Sequence, residues 1–275
     1  MKMQIDELRS IIRSIIEEKK AEDLRDPVAA KKFAERMKEK FKMPFNLQNE
    51  HALSDLISHY ASEEDPITVI IGGLVFDDVV GAERSGGEGG KSDVDIYSED
   101  GVRGISIKMA SADYWESAET KLAPLVAPLV QRLSKGKGKT KIDQEDDVYV
   151  MKHDGETVSR FYFELPPEIA QEAVFGPAGN RIEAVIEYEF YTGKAEWDAK
   201  QKLLTIGGPD MKIYRTLKDI PKESYPVGVI RVGEKSSKRS GARGFTFDDI
   251  KYQGLRPAIT RRKFATQGNS VKVSL

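Results

Sequence analysis

The chain contains no cysteine, which excludes disulfides, thiolate metal sites and cysteine nucleophiles. Histidine is scarce as well. His51, His59 and His153 are the only three, and their scatter gives no basis for a histidine-built metal centre. Long apolar runs are missing. The longest, around Ile67 to Val80, is interrupted by Gly72, Gly73, Asp77 and Asp78, so nothing approaches the roughly 18 residues of a membrane span. The N-terminal MKMQIDELRSIIRSIIEEKK has acids within its apolar pattern and lacks the apolar centre of a secretory signal. A cytoplasmic protein with no membrane partner is therefore expected. Charge of one sign is also lacking. The formal net charge is −2, which argues against a coat of positive charge for nucleic acid but not against a local DNA cleft. What is present suits a globular fold. With 275 residues, 39% hydrophobic and 32% charged, the chain can form one large domain or two modest ones.

Helical spacing places Ile5, Leu8, Ile11, Ile12, Ile15 and Ile16 on one face. Asp26-Pro27 marks a second helix start, with its end near Phe41. A third helix is expected over Asn49 to Ser62, so residues 1–65 read as a helical region. Ile67 to Ile71 is strand-like, or the buried start of a helix, and Leu74 to Val80 reads as helix after Gly72-Gly73. The glycine-rich SGGEGGKS (85–92) reads as a loop. Val94 and Ile96 then alternate with Asp93 and Asp95, as a half-buried strand requires. Asp100-Gly101 signals a hairpin turn. The returning strand, Gly104 to Met109, sets Ile105 and Ile107 against Ser106 and Lys108.

Ser111 to Leu133 reads as helix, broken or kinked near Pro124 and Pro128. SKGKGKTK (134–141) is a basic linker, either solvated or in contact with phosphate. After Glu145 the text is mostly strand-like, with a short helix after Pro166-Pro167. Three regions are expected: 1–65 helical, 66–141 a core built around the 93–109 hairpin, and 142–275 β-rich.

Neighbouring strands that present an acid and a lysine suit metal-assisted phosphodiester hydrolysis. A carboxylate holds a hard cation such as Mg²⁺, and an ammonium group serves the attacking water or the developing phosphate charge. Asp93 and Lys108 fill these positions. The stretch resembles the core of PD-(D/E)XK nucleases, the restriction-endonuclease-like fold, in which a helix carries an acid and a hairpin supplies an Asp and then an acid-x-Lys. Phe76-Asp77-Asp78 resembles the helical acid, Asp93-Val94-Asp95-Ile96 the second element, and Ser106-Ile107-Lys108 the third. The resemblance implies an α/β fold with a mixed sheet flanked by helices. It implies Asp77, Asp93 and Glu119 as metal ligands, Lys108 as the catalytic lysine, Mg²⁺ as cofactor, double-stranded DNA as substrate and a homodimer.

Ser106 stands where the family has an acid. A branch of type II restriction enzymes shares this Ser-x-Lys and recruits a Glu from the next helix. Glu116 and Glu119 read as one face of that helix, and Glu119 is the nearer to the expected spacing. Basic segments KSSKRSGAR (235–243) and RRK (261–263) are candidate DNA contacts or ordinary charged loops.

Other readings remain open at this level. Asp93 and Asp95 can cap a turn, Lys108 can be an exposed strand lysine, and Tyr114 and Trp115 can be packing residues. Gly81-Ala82 with Asp93-Val94-Asp95 resembles an Asp-x-Asp nucleotidyltransferase, with Ala82 in place of that family's serine. A non-catalytic DNA-binding or structural protein that keeps a degenerate nuclease core is the third alternative.

Overall fold

The computed structural model describes residues 45–85, 91–116, 119–145, 148–190, 194–232 and 244–275. The helices expected over Met3 to Lys20 and over Pro27 to Phe41, most of the glycine-rich loop, and KSSKRSGAR lie outside these residues. The fold is mixed α/β and strand-rich. Among the described residues no helix is long and apolar enough to cross a membrane. The chain divides into two compact units, 1–110 with 179–215 and 111–178 with 216–275.

The described part of the first unit opens with α1 (Phe45–Tyr60). It continues through β1 (Ile67–Ile71), β2 (Leu74–Arg84), β3 (Val94–Ser98) and β4 (Gly101–Lys108). The chain then builds part of the second unit: β5 (Tyr114–Glu116), α2 (Glu119–Lys135), β6 (Thr140–Glu145), β7 (Val148–His153), β8 (Glu156–Thr157), β9 (Arg160–Glu164) and α3 (Pro167–Phe175). It returns to the first unit as β10 (Ala184–Glu187), β11 (Lys194–Asp198), β12 (Leu203–Gly207) and β13 (Lys212–Tyr214). The second unit is completed by β14 (Pro226–Val232), β15 (Gly244–Phe247), β16 (Ile250–Gln253), β17 (Leu255–Arg261), α4 (Arg262–Ala265) and β18 (Ser270–Lys272).

The first unit is an eight-stranded sheet in the order β11-β12-β1-β2-β3-β4-β10-β13. It is mixed, because β1 runs parallel to β12 and β4 parallel to β10, whereas β1 to β4 form an antiparallel meander. Leu53 and Ile57 of α1 pack into the same core as Val69, Phe76, Val94, Ile96, Ile105 and Ile107. Alternation along β3 and β4 drives this arrangement: the apolar residues enter the core and the residues between them take the other face.

Leu74 to Val80 is strand, not helix. Gly72 (φ 53) and Gly73 (φ 100) both lie in the left-handed region, as a two-residue hairpin of the primed type requires, and β1 turns directly into β2. The spacing that imitates a helix comes from a β-bulge. Between Val69↔Phe76 and Ile67↔Val79 the strand β2 holds one residue more than β1, and Asp78 sits there at φ 51. Phe76 and Val79 therefore both face inward, three residues apart.

In the second unit, β18-β9-β14-β17-β5 form a five-stranded sheet. Tyr114-Trp115-Glu116 is strand β5, and helix α2 is described over Glu119–Lys135. Glu116 and Glu119 therefore do not share a helical face; β-favouring Tyr114 and Trp115 pair with β17 instead. Helix α2 runs unbroken past Pro124 and Pro128. Both prolines are exposed, so the carbonyls they leave without an amide partner stand on the solvent side.

Candidate functional site

Asp93 stands at the start of β3, where its own N–H donates to Ile105 O at 2.8 Å. Strand β4 runs on past this point, and the Asp93 carboxylate takes over the ladder. Its Oδ2 accepts from Ile107 N at 2.7 Å and from Ser106 Oγ at 2.6 Å. Lys108 Nζ lies 3.5 Å from the same oxygen. Among the described residues Oδ1 accepts no hydrogen bond. One oxygen is pinned, and the other keeps its lone pairs for a further partner.

Local sequence explains the tight hairpin. Gly104 faces Asp95 across the strands, and a Cβ there would lie 2.6 Å from Ser92 Oγ. That hydroxyl meanwhile donates to Val94 O at 2.9 Å, closing the start of β3. Ser106, where an acid was expected by resemblance, is fully buried. Its hydroxyl fixes the Asp93 carboxylate instead of adding a second charge beside it.

Glu50 of α1 joins this group, and sequence reasoning did not single it out. Its side chain is 8% exposed, and Oε2 accepts from Arg84 Nε at 2.6 Å. Burial raises its pKa above the ordinary value, and the negative charge of Asp93 pushes the same way. The Arg84 hydrogen bond and the positive charges of Arg84 and Lys108 oppose that rise. Glu50, Asp93, Arg84 and Lys108 thus share one electrostatic field. A signal was available in the sequence: Glu50, Leu53 and Ile57 fall at i, i+3 and i+7, which puts a carboxylate on the apolar stripe of α1. Glu187, also buried, stands in register beside Lys108 on β10.

The other expected site residues fall elsewhere. Asp77 lies on β2, exposed, where Oδ1 accepts from Thr68 Oγ1 at 3.3 Å. Arg84, at the opposite end of the same strand, is the residue that pairs with Val94 beside Asp93. Arg84 lies seven positions along the strand from Asp77, a rise of about 20 Å. Glu119 opens α2 in the second unit and forms an ion pair with Arg256. Glu116 pairs with Lys121 at 3.1 Å. Asp95 stands across from Glu83 on β2. Gly81 and Ala82 are inside β2 rather than in a turn that leads into a strand. Tyr114 lies under the guanidinium of Arg231, and Trp115 is buried with its Nε1 donating to Ser224 O at 2.9 Å. Within RRK, Arg261 is buried over Trp115, and Arg262 forms a two-pronged pair with Glu164.

A hard divalent cation fits what is present. Mg²⁺ is ordinarily held by one or two carboxylates, with water and substrate phosphate completing the shell. Glu50 and Asp93 are the two carboxylates that feel each other's charge here. Among the described residues no cluster of three or more His, Asp or Glu side chains is arranged as a full metal cage. Comparison with protein-family models, with curated proteins and with solved structures gives no match.

Proposed function

We propose that this chain is a Mg²⁺-dependent DNA endonuclease that hydrolyses phosphodiester bonds, with a restriction-endonuclease-like core centred on the β3–β4 hairpin. The observation that carries the reading is the Lys108 ammonium 3.5 Å from an Asp93 carboxylate whose geometry is fixed by two further donors. Glu50 supplies the helix-borne acid, since α1 precedes the hairpin and its carboxylate is coupled to Asp93. Mg²⁺, when bound, supplies a Lewis acid for the phosphoryl oxygen and lowers the pKa of water.

The protein's own contributions follow from position. Glu50 and Asp93 Oδ1 would hold the ion. Ser106 Oγ and Ile107 N–H keep Asp93 from rotating. Lys108 orients the attacking water or neutralises the charge growing on the phosphate. The reading carries with it double-stranded DNA as substrate, a homodimer that addresses both strands, and a cytoplasmic setting. Purified protein incubated with plasmid and genomic DNA, with Mg²⁺ or with EDTA, tests it beside Asp93→Ala and Lys108→Ala. Discrete Mg²⁺-dependent fragments, lost in both variants, are expected. Equal cutting by wild type and variants, or none by any of them, overturns the assignment.

A further inference from the structure

Three arginines stand side by side on one face of the five-stranded sheet. Arg231 of β14 is in register with Arg160 of β9 on one side and with Arg256 of β17 on the other. Directly opposed residues on neighbouring strands have Cβ atoms about 5 Å apart, and like charges in that position repel. Yet all three are partly buried, which removes some of the water that would screen them.

Their fixed partners offset little of this charge. Arg256 has Glu119. Among the described residues Arg160 donates only to a neutral carbonyl, Phe264 O, at 2.7 Å. Arg231 lies over the Tyr114 ring at 4.8 Å and donates to its hydroxyl at 3.1 Å. Among the described residues the buried Nε of Arg231 has no hydrogen-bond partner. The second acid on this face, Glu164, is already spent: Arg262 binds both its oxygens and Lys272 lies 3.1 Å away. Among the described residues neither Arg160 nor Arg231 pairs with a carboxylate, in a chain whose net charge is −2. The positive charge is local, not a property of the whole protein.

We infer that the Arg160–Arg231–Arg256 row is a phosphate-binding surface that grips the phosphodiester backbone of nucleic acid. Planar guanidinium groups match phosphate oxygens two at a time. An incoming phosphate would meet the accessible edges of the guanidinium groups and relieve the repulsion along the row. Tyr114 and Tyr162, the latter two residues along β9 on the same face, give the surface an apolar floor for the sugar. Phosphate contacts of this type position a duplex without reading its sequence. The choice of nucleic acid over a free phosphate rests on the nuclease reading; the anion site itself does not.

Binding of a short labelled DNA duplex, followed by fluorescence anisotropy in EDTA at several salt concentrations, tests the proposal without cleavage. Arg160→Gln and Arg231→Gln are each expected to weaken binding about tenfold and to reduce the slope of log affinity against log salt by about 0.9. Arg231→Lys should keep the slope. Should Arg231→Gln fail to fold, Arg160→Gln carries the test, because among the described residues its guanidinium is tied only to one carbonyl. A purely structural role would lower the melting temperature and leave the slope unchanged, which overturns the proposal. Wild type that ignores DNA but is stabilised by inorganic phosphate overturns the nucleic-acid assignment. The two readings fail separately. Arginine-dependent binding without Mg²⁺-dependent cutting sinks the nuclease alone. Cutting by wild type together with undiminished binding by Arg160→Gln and Arg231→Gln sinks the arginine surface alone.

Discussion

Replacing Ser106 by alanine removes one atom from the interior and one donor from Asp93. The bond is short, 2.6 Å, its acceptor is charged, and Ser106 is 0% exposed. A hydrogen bond to a charged group contributes about 1.5–3 kcal/mol. Asp93 Oδ2 would keep Ile107 N at 2.7 Å and Lys108 at 3.5 Å. The variant therefore folds, but its carboxylate can turn about χ1. Since each 1.4 kcal/mol is a factor of ten, cation affinity should fall by about 10- to 100-fold, the range typical for loss of a group that orients a ligand. Calorimetric titration with Mg²⁺ or Mn²⁺, without DNA, measures the affinity directly. Cleavage followed against Mg²⁺ concentration should show the midpoint displaced upward and the rate largely restored at saturation. Ser106→Thr keeps the hydroxyl and should lie closer to wild type, despite the strain of an added methyl in a filled site. A Ser106→Ala variant that is folded, with unchanged cation affinity and unchanged Mg²⁺ dependence, would refute the idea that this hydroxyl aims the carboxylate.

Two further substitutions probe neighbouring claims. Arg84→Met removes the hydrogen bond that most opposes the rise of the Glu50 pKa, so cation binding should need a higher pH than in wild type. A carboxyl whose folded pKa is raised favours the folded state at low pH, and that advantage is lost as pH rises from the ordinary 4.5 through the folded value. The melting temperature of Arg84→Met should therefore decline over a wider span above 4.5 than that of wild type; superimposable melting profiles would count against the coupling. Glu119→Gln breaks a pair whose side chains are 32% and 22% exposed, which costs about 0.2–1 kcal/mol. It should leave cation affinity unchanged, and by uncovering Arg256 it should tighten DNA binding; calorimetry and anisotropy check the two halves.

The hairpin was legible because its physics is local. Alternation of Val94 and Ile96 with Asp93 and Asp95, and of Ile105 and Ile107 with Ser106 and Lys108, fixes two faces whatever the rest of the chain does. The strands at 148–153, 160–164, 203–207 and 226–232, and the helix after Pro166-Pro167, were readable for the same reason. Leu74–Arg84 misled because a bulge restored a three-residue spacing between Phe76 and Val79. Glu50 was hidden because its partners are distant: Arg84 is 34 residues away, and no local pattern announces that pair. The arginine row was hidden too, since only strand register, not proximity in the chain, aligns positions 160, 231 and 256.

The parallel neighbour of β4 is β10, and the chain writes the 111–178 segment of the second unit between the two. On the ribosome, the strand that bears Ser106 and Lys108 must wait as an open edge until Glu187 has emerged. Its final backbone partner is therefore among the later pieces delivered, and closing so long a detour carries an entropic toll. A nascent or truncated chain that stops within the detour would carry the reactive hairpin on an unfinished sheet, prone to pairing with foreign strands. Maturation of the centre is in this way tied to synthesis of the chain at least as far as Glu187.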